Sequence, residues 1–281
     1  MSALSAADVA ELLLATAEAG GSAAAAVIVR ASGAGLTGRR IAVTRAASDR
    51  AGMHGTLGTP GLDAAAVAVL DEILDAPRGH DGLREIQAAG ESVELYVEVR
   101  RPVLELIVVG AGHIAQPMAH IGALIGFKVI VLDDRPDFAT RERFPDADRV
   151  VRGDFSDPFA DIPLHERSHI LLVTRGHKYD YDCLVRALRT DPPPAYIGMI
   201  GSRRRVRATF VQLVDEGFSM DLIERIHAPV GLDIGAETPE EIAVAVAAEL
   251  IMLRRGGTGL PLRGVERVAE RFFSQTSEES K

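Results

Sequence analysis

The stretch VVGAGHIAQPMA, residues 108–119, decides how the chain is read. The apolar run Leu104–Val109 passes directly into Gly110 and Gly112, with one residue between them, and then into a helical-looking segment. In a strand–turn–helix unit with the pattern G-x-G-x-x-[GA], the first glycine allows the tight turn and the second lets a phosphate approach the backbone. The third position needs only a small side chain, which Ala115 supplies. The amides at the helix start, with the positive end of the helix dipole, then face the ligand. His113 lies directly after the second glycine. Pro117 is tolerated because amides of the first helical turn have no intrahelical partner. Asp133 and Asp134 close the next strand about twenty residues on, where a carboxylate binds a ribose diol and disfavours a 2′-phosphate. The adjacent Arg135 pulls the other way.

Working outward, FKVIVLDD (127–134), RVVRGD (149–154), HILLVTRG (169–176) and AYIGMIGS (195–202) read as further buried strands separated by helical stretches. Alternation of this kind specifies an α/β fold, a Rossmann-like doubly wound parallel sheet. Upstream of Arg101-Pro102 the pattern differs. A capped amphipathic helix is expected over 5–19, strands over 23–31, 40–45 and 92–100, and a helix over 62–76, with SGAGLTG (32–38) and HGTLGTPG (54–61) as loops. The expected organisation is therefore a smaller α+β domain over 1–100, a nucleotide- or cofactor-binding domain over 101–259, and a helix with a polar tail over 260–281. The last residues, SQTSEESK (274–281), are expected to be disordered.

Composition narrows the classes of function. A net charge of −9 argues against a nucleic-acid binder, and RRRVR (203–207) is too short a basic run to reverse that. The single cysteine, Cys183, excludes an internal disulfide and gives no sign of an oxidising compartment. The N-terminus lacks the basic region of a signal peptide, and no run reaches the roughly 18 apolar residues of a membrane span. The expectation is a cytoplasmic protein without a membrane partner and without a metal site of its own.

Three further stretches fall where strands meet helices, the ligand edge of such a sheet. VTRGHKYDYDCL (173–184) carries Arg175 and His177. His177 beside carboxylates suits a general base, or it is simply solvated while Asp180 or Asp182 caps the helix. IGMIGSRRRVRATF (197–210) places Gly201, Ser202 and Arg203 at a second strand–glycine–helix turn, with Ser202 as N-cap and Arg203 as an anion contact. HAPVGLDIGAETPEEIAVAVAAELI (227–251) puts His227, Asp233 and Gly235 on a loop before a long helix. There Thr238 reads as N-cap and Pro239 as the first helical residue. Cys183 reads as a packed helix residue.

Taken together, VVGAGHIAQPMAHIGALIGFKVIVLDDR, TRGHKYDYDCLVRAL, YIGMIGSRRR and HAPVGLDIGAETPEEIAVAVAAELI resemble the C-terminal domain of the XdhC/CoxI family, accessory proteins of xanthine dehydrogenase and related molybdenum hydroxylases. The resemblance implies a chaperone that binds molybdenum cofactor, as molybdopterin or its dinucleotide form. It would support the cofactor's sulfuration and its insertion into an apo molybdenum hydroxylase, with a sulfur donor protein as a second partner. Gly110, Gly112, His113 and Ala115 would receive the phosphate, Asp133 or Asp134 a ribose or pterin hydroxyl, and Ser202 with Arg203 a second anion. The family's first domain carries a GTIGGGC-like segment. Here the matching stretch is GTLGTPG, so Gly61 stands in place of that cysteine. The residues themselves leave two rivals open: an NAD(P)-dependent oxidoreductase using His177 or His113, and a nucleotide sensor without chemistry. A homodimer is expected through the region after residue 240.

Overall fold

The computed structural model describes residues 4–32, 35–45, 51–76, 79–88 and 90–266. Its first part is an antiparallel sheet with one helix on each face. Helix α1 (Ala6–Glu18) starts at a complete capping box, in which Ser5 Oγ accepts from the Asp8 amide and the Asp8 carboxylate accepts from the Ser5 amide. Strands β1 (Ser22–Ala31), β2 (Arg40–Arg45) and β3 (Ala51–Thr56), helix α2 (Pro60–Asp75), and strands β4 (Gly82–Ala88) and β5 (Glu91–Arg100) follow. The sheet order is β3-β2-β1-β5-β4. The alanine run in β1 serves both faces: Ala23 and Ala25 pack under α1, and Ala24, Ala26 and Ile28 pack under α2.

Two elements here differ from the sequence reading. The loop expected over 54–61 is in its first half the end of β3, paired with β2. Strand β4 was not expected at all. Its only large apolar residues are Leu83 and Ile86, it pairs on one side only, and such an edge strand needs little hydrophobic signal.

The second part is wholly parallel. It comprises β6 (Glu105–Val109), α3 (Ala115–Leu124), β7 (Lys128–Asp133), β8 (Arg149–Arg152), β9 (Ser168–Leu172), α4 (His177–Leu188), β10 (Tyr196–Met199), α5 (Arg203–Asp215), α6 (Met220–Ile223), β11 (Ile226–His227), α7 (Pro239–Arg255) and α8 (Leu262–Glu266). The order β11-β10-β9-β6-β7-β8 runs outward from β6 in one direction and from β9 in the other. Chain order therefore reverses between β6 and β9, and a crevice opens at their carboxyl ends. Alternate strand residues face opposite layers. Ile107 and Val109 meet α4, α5 and α6, whereas Leu106 and Val108 meet α3 and α7. Gly122 lets α3 settle on β6, since a Cβ there would lie 2.6 Å from Leu106 Cδ2. The two-residue β11 is a sixth strand beyond the five expected. The tail 274–281 lies outside the described residues. Among the described residues no helix is long and apolar enough to cross a membrane.

Candidate functional site

The turn after β6 is built for a strained backbone. Gly110 has φ of 106°, and a Cβ on it would stand 2.6 Å from the Val173 carbonyl oxygen at the end of β9. Both the angle and the contact require glycine. Its amide donates to the Leu132 carbonyl at 2.7 Å, and the Ala111 amide donates to Asp133 Oδ2 at 2.7 Å, so β7 pins the turn from one side. Ala115 is fully buried between helix and sheet. Gly112 is different: a Cβ there would meet nothing within 4 Å. Its smallness serves no internal packing and leaves the backbone open to an approaching group.

The helix beyond is left uncapped. The residue at the cap position of α3, Ile114, is itself in the right-handed helical region and offers no side-chain bond, and the first turn carries no acid. Among the described residues the amides of Gly112 and His113 have no hydrogen-bond acceptor. Exposed amides at a helix start, with the dipole behind them, attract an anion.

Around this turn the charges are arranged in fixed pairs. Asp133, 1% exposed, accepts from the Ala111 amide, the Arg135 amide at 2.9 Å and the Arg135 guanidinium at 2.9 Å to each oxygen. Burial pushes its pKa up, but these donors outweigh burial and hold it at about 2. Asp134 is held by Arg175 through two bonds, of 2.5 and 2.7 Å. Arg175 follows β9 and Asp134 follows β7, so the pair spans the end of β6. Arg143 donates to the Ala111 carbonyl at 3.2 Å and to Gln116 Oε1 at 3.3 Å. Each guanidinium rests on an aromatic ring: Arg135 and Arg143 lie 3.6 and 4.8 Å from the Phe138 centroid, and Arg175 lies 4.6 Å from that of Tyr179.

The other expected site residues fall along the same edge but in different company. Ser202 caps α5, its Oγ accepting from the Arg205 amide at 3.3 Å, and Gly201 lies beside the Arg205 side chain. Arg203 borders an apolar groove with Val206, Phe210 and Met220 rather than the crevice. His227 Nδ1 lies 3.2 Å from Glu249 Oε1 and its ring stacks on Tyr196. The same Glu249 carboxylate accepts from the Tyr196 hydroxyl at 2.7 Å and the Gly231 amide at 2.9 Å, which ties the loop after β11 to α7. Asp233 is exposed on that loop. His177 opens α4, and its side chain lies outside the described residues.

Neither Asp180 nor Asp182 caps α4, because the helix begins earlier, with Gly176 at the cap position. Asp180 is instead fully buried, accepting from Thr174 Oγ1 at 2.5 Å and paired with Arg205 of α5. Cys183 is fully buried, and burial drives its thiol pKa up. A cleft of about 850 Å³ runs along α4 past Phe159, Tyr181 and Arg189 and includes none of the turn residues. Reasoning from sequence missed Arg143, Gln116 and Phe138. Arg143 and Phe138 reach the turn from beyond β7, an approach no local pattern in the chain marks, whereas Gln116 lies in the first turn of α3 and gains its role from Arg143.

A model of the XdhC Rossmann domain matches residues 106–250. The protein YqeB of Escherichia coli (strain K12), itself uncharacterised, is 31% identical over 185 residues, which are 66% of this chain and 33% of YqeB. A Bacillus subtilis (strain 168) protein named as a probable xanthine dehydrogenase subunit is 32% identical over 165 residues, covering 59% of this chain and 47% of that one. The aligned part thus spans between a third and a half of those relatives. A crystal structure of a protein called a xanthine dehydrogenase from Bacillus halodurans shares the fold. It superposes with a TM-score of 0.51 over 88% of this chain and 95% of the other, at 19% identity. The family match covers the strands, turns and helices that build the switch point, and the chain belongs to the XdhC family.

Proposed function

We propose that the protein is an accessory maturation factor for a xanthine dehydrogenase-type molybdenum hydroxylase, and that the β6–α3 turn holds the phosphate end of molybdenum cofactor. One observation carries this reading: the uncapped start of α3, with Gly112 open and guanidiniums on its flank, sits at the switch point of an XdhC-family sheet. Molybdopterin ends in a phosphate and its dinucleotide forms carry a pyrophosphate, so either matches such a cradle. Gly112 and His113 would receive that group through their backbone amides, Gly110 would make the tight turn that presents them, and Ala115 would keep the helix seated. Asp134 and Arg175 would form the rim. Gly201, Ser202, Arg203, His227 and Asp233, with His177 at the start of α4, would offer contacts farther along the edge. Asp133 we assign to holding the turn, because its oxygens are already engaged.

The chain's own thiol suits no sulfur chemistry. Cys183 is its single cysteine and is fully buried, and Gly61, where the family carries a cysteine, is exposed in the first turn of α2. A separate donor protein would therefore sulfurate the cofactor while this chain holds it, and an apo-hydroxylase would receive it. A boundary near residues 100 and 101 is supported by the change from antiparallel to parallel sheet between Arg100 and Glu105. A homodimer in the cytoplasm completes the proposal.

The test is to purify the protein from molybdate-fed cells and quantify oxidised pterin released on denaturation. Near-stoichiometric pterin is expected, falling several-fold in Gly112→Asp, which sets a carboxylate where the phosphate would lie. Absence of pterin, together with unchanged hydroxylase activity in a deletion strain, would refute it. The strand order also suits an NAD(P)-dependent oxidoreductase. Micromolar NADH binding with turnover of a carbonyl substrate would favour that reading instead.

A further inference from the structure

The end of β7 decides what a dinucleotide-type fold accepts beside its first phosphate. A ribose diol needs a carboxylate with an oxygen to spare. Here Asp133 accepts four donor contacts and is saturated, and the charge of Asp134 is matched by a two-bond pair with Arg175. What remains is cationic. Three guanidiniums, of Arg135, Arg143 and Arg175, face two carboxylates at this edge, in a chain whose net charge is −9. The side chains of Arg135 and Arg175 stay 31% and 37% exposed, so each can meet a ligand without leaving its partner. Arg143 also keeps a buried Nε with no acceptor among the described residues. All three rest on rings that fix their planes.

We infer that the site takes a ligand with two separate anionic groups, one over the Gly112 and His113 amides and a second phosphate at the Arg135–Arg143–Arg175 edge, in the place where a ribose diol would otherwise sit. This rests on the phosphate-binding role proposed above for the turn, and it reverses the preference that Asp133 and Asp134 suggest when read by position alone. A bare ribose would find Asp133 saturated and Asp134 already paired with Arg175 at the end of β7. A phosphate there gains charge-assisted bonds from arginines already held in place.

The probes are 5′-AMP and 2′,5′-ADP, which differ by a single phosphate, titrated by calorimetry into the full-length protein at low and at physiological salt. The expected result is that 2′,5′-ADP binds at least about tenfold tighter, as one charge-assisted contact allows. The advantage should shrink as salt screens the edge. Arg175→Ala and Arg143→Gln should each bring the two affinities to within about threefold, because each weakens 2′,5′-ADP binding more than 5′-AMP binding. Arg175 is at the surface and its removal leaves the buried Asp133–Arg135 pair intact, so circular dichroism should show a folded variant. Equal binding of both probes, or tighter 5′-AMP, overturns this inference and leaves the phosphate-binding turn standing. Failure of both probes to bind at millimolar concentration overturns both.

Discussion

The turn after β6 and the turn after β10 begin alike and finish in opposite states. Each is a buried strand that meets a glycine and then a helix on the same edge of one sheet. At β10 the helix is sealed: Ser202 accepts from the Arg205 amide, and the Arg205 guanidinium folds back onto the buried Asp180 of α4. At β6 nothing among the described residues closes the helix start, and a carboxylate from the neighbouring strand holds the turn open from below. The other two long helices follow the same division. α7 carries a complete capping box from Thr238 and Glu241, whereas α4, which faces α3 across the switch point, has only Gly176 and no side-chain cap. Glycine before a helix therefore does not make an anion site. What decides is whether the protein supplies the acceptor itself.

The sharpest way to break the comparison is to remove what holds the β6 turn. Asp133→Ala leaves the Ala111 amide and the Arg135 guanidinium without their buried acceptor, and loss of about 3 kcal/mol in urea unfolding is expected. Ser202→Ala, at the sealed turn, should cost only about 1 kcal/mol. If the two losses were equal, the β7 carboxylate would be no more than another cap. Gly110→Ala comes next. It forces a side chain onto φ of 106° and into the Val173 carbonyl, with an expected cost of about 2–3 kcal/mol.

The same carboxylate gives the comparison a pH dependence. Asp133 is held at about 2 in the folded protein, below the roughly 4 of an exposed aspartate. Its ionised form is thus favoured by folding. The stabilisation is complete above the unfolded value and is lost as pH falls from about 4 towards 2. Unfolding free energy should drop by about 2 kcal/mol across that window for this group, and the Asp133→Ala variant should lack that part of the slope. An unchanged slope in the variant would mean that the turn is held by something other than the ionised carboxylate.

Much of this architecture is legible in the chain because its buried strands are short, apolar and punctuated. LELIVVG, FKVIVLDD and HILLVTRG each carry enough hydrophobic signal to stand alone, and Ser202, Thr238 and Pro239 mark the starts of α5 and α7 chemically. β4 and β11 are not legible, since a seven-residue edge strand with two large apolar side chains and a two-residue strand get their pairing from the sheet rather than from their own sequence. Gly110 could be read because backbone geometry dictates it. The roles of the charged residues could not. Asp133 sits where a ribose partner belongs, and only the fold reveals that Ala111, 22 residues away, and Arg135 already occupy it. Arg175 and Asp134 lie 41 residues apart, and Arg143 reaches a carbonyl 32 residues back. Pairings at such separations come from strand order, which no local period encodes.

The smallest effect on stability is the most informative about function. Gly112→Ala adds a methyl group where no atom of the protein lies within 4 Å, at a backbone angle that alanine can adopt. Unfolding free energy should stay within about 0.5 kcal/mol of the parent. Phosphate or 5′-AMP binding should still weaken several-fold, because the methyl occupies the approach to the Gly112 and His113 amides. Ser202→Ala should show the reverse pattern, a measurable loss of stability with anion affinity unchanged. Only an open turn separates the two quantities in this way. A Gly112→Ala variant that binds as the parent does would place the ligand somewhere else on the edge, and the contrast between the two turns would then concern capping alone.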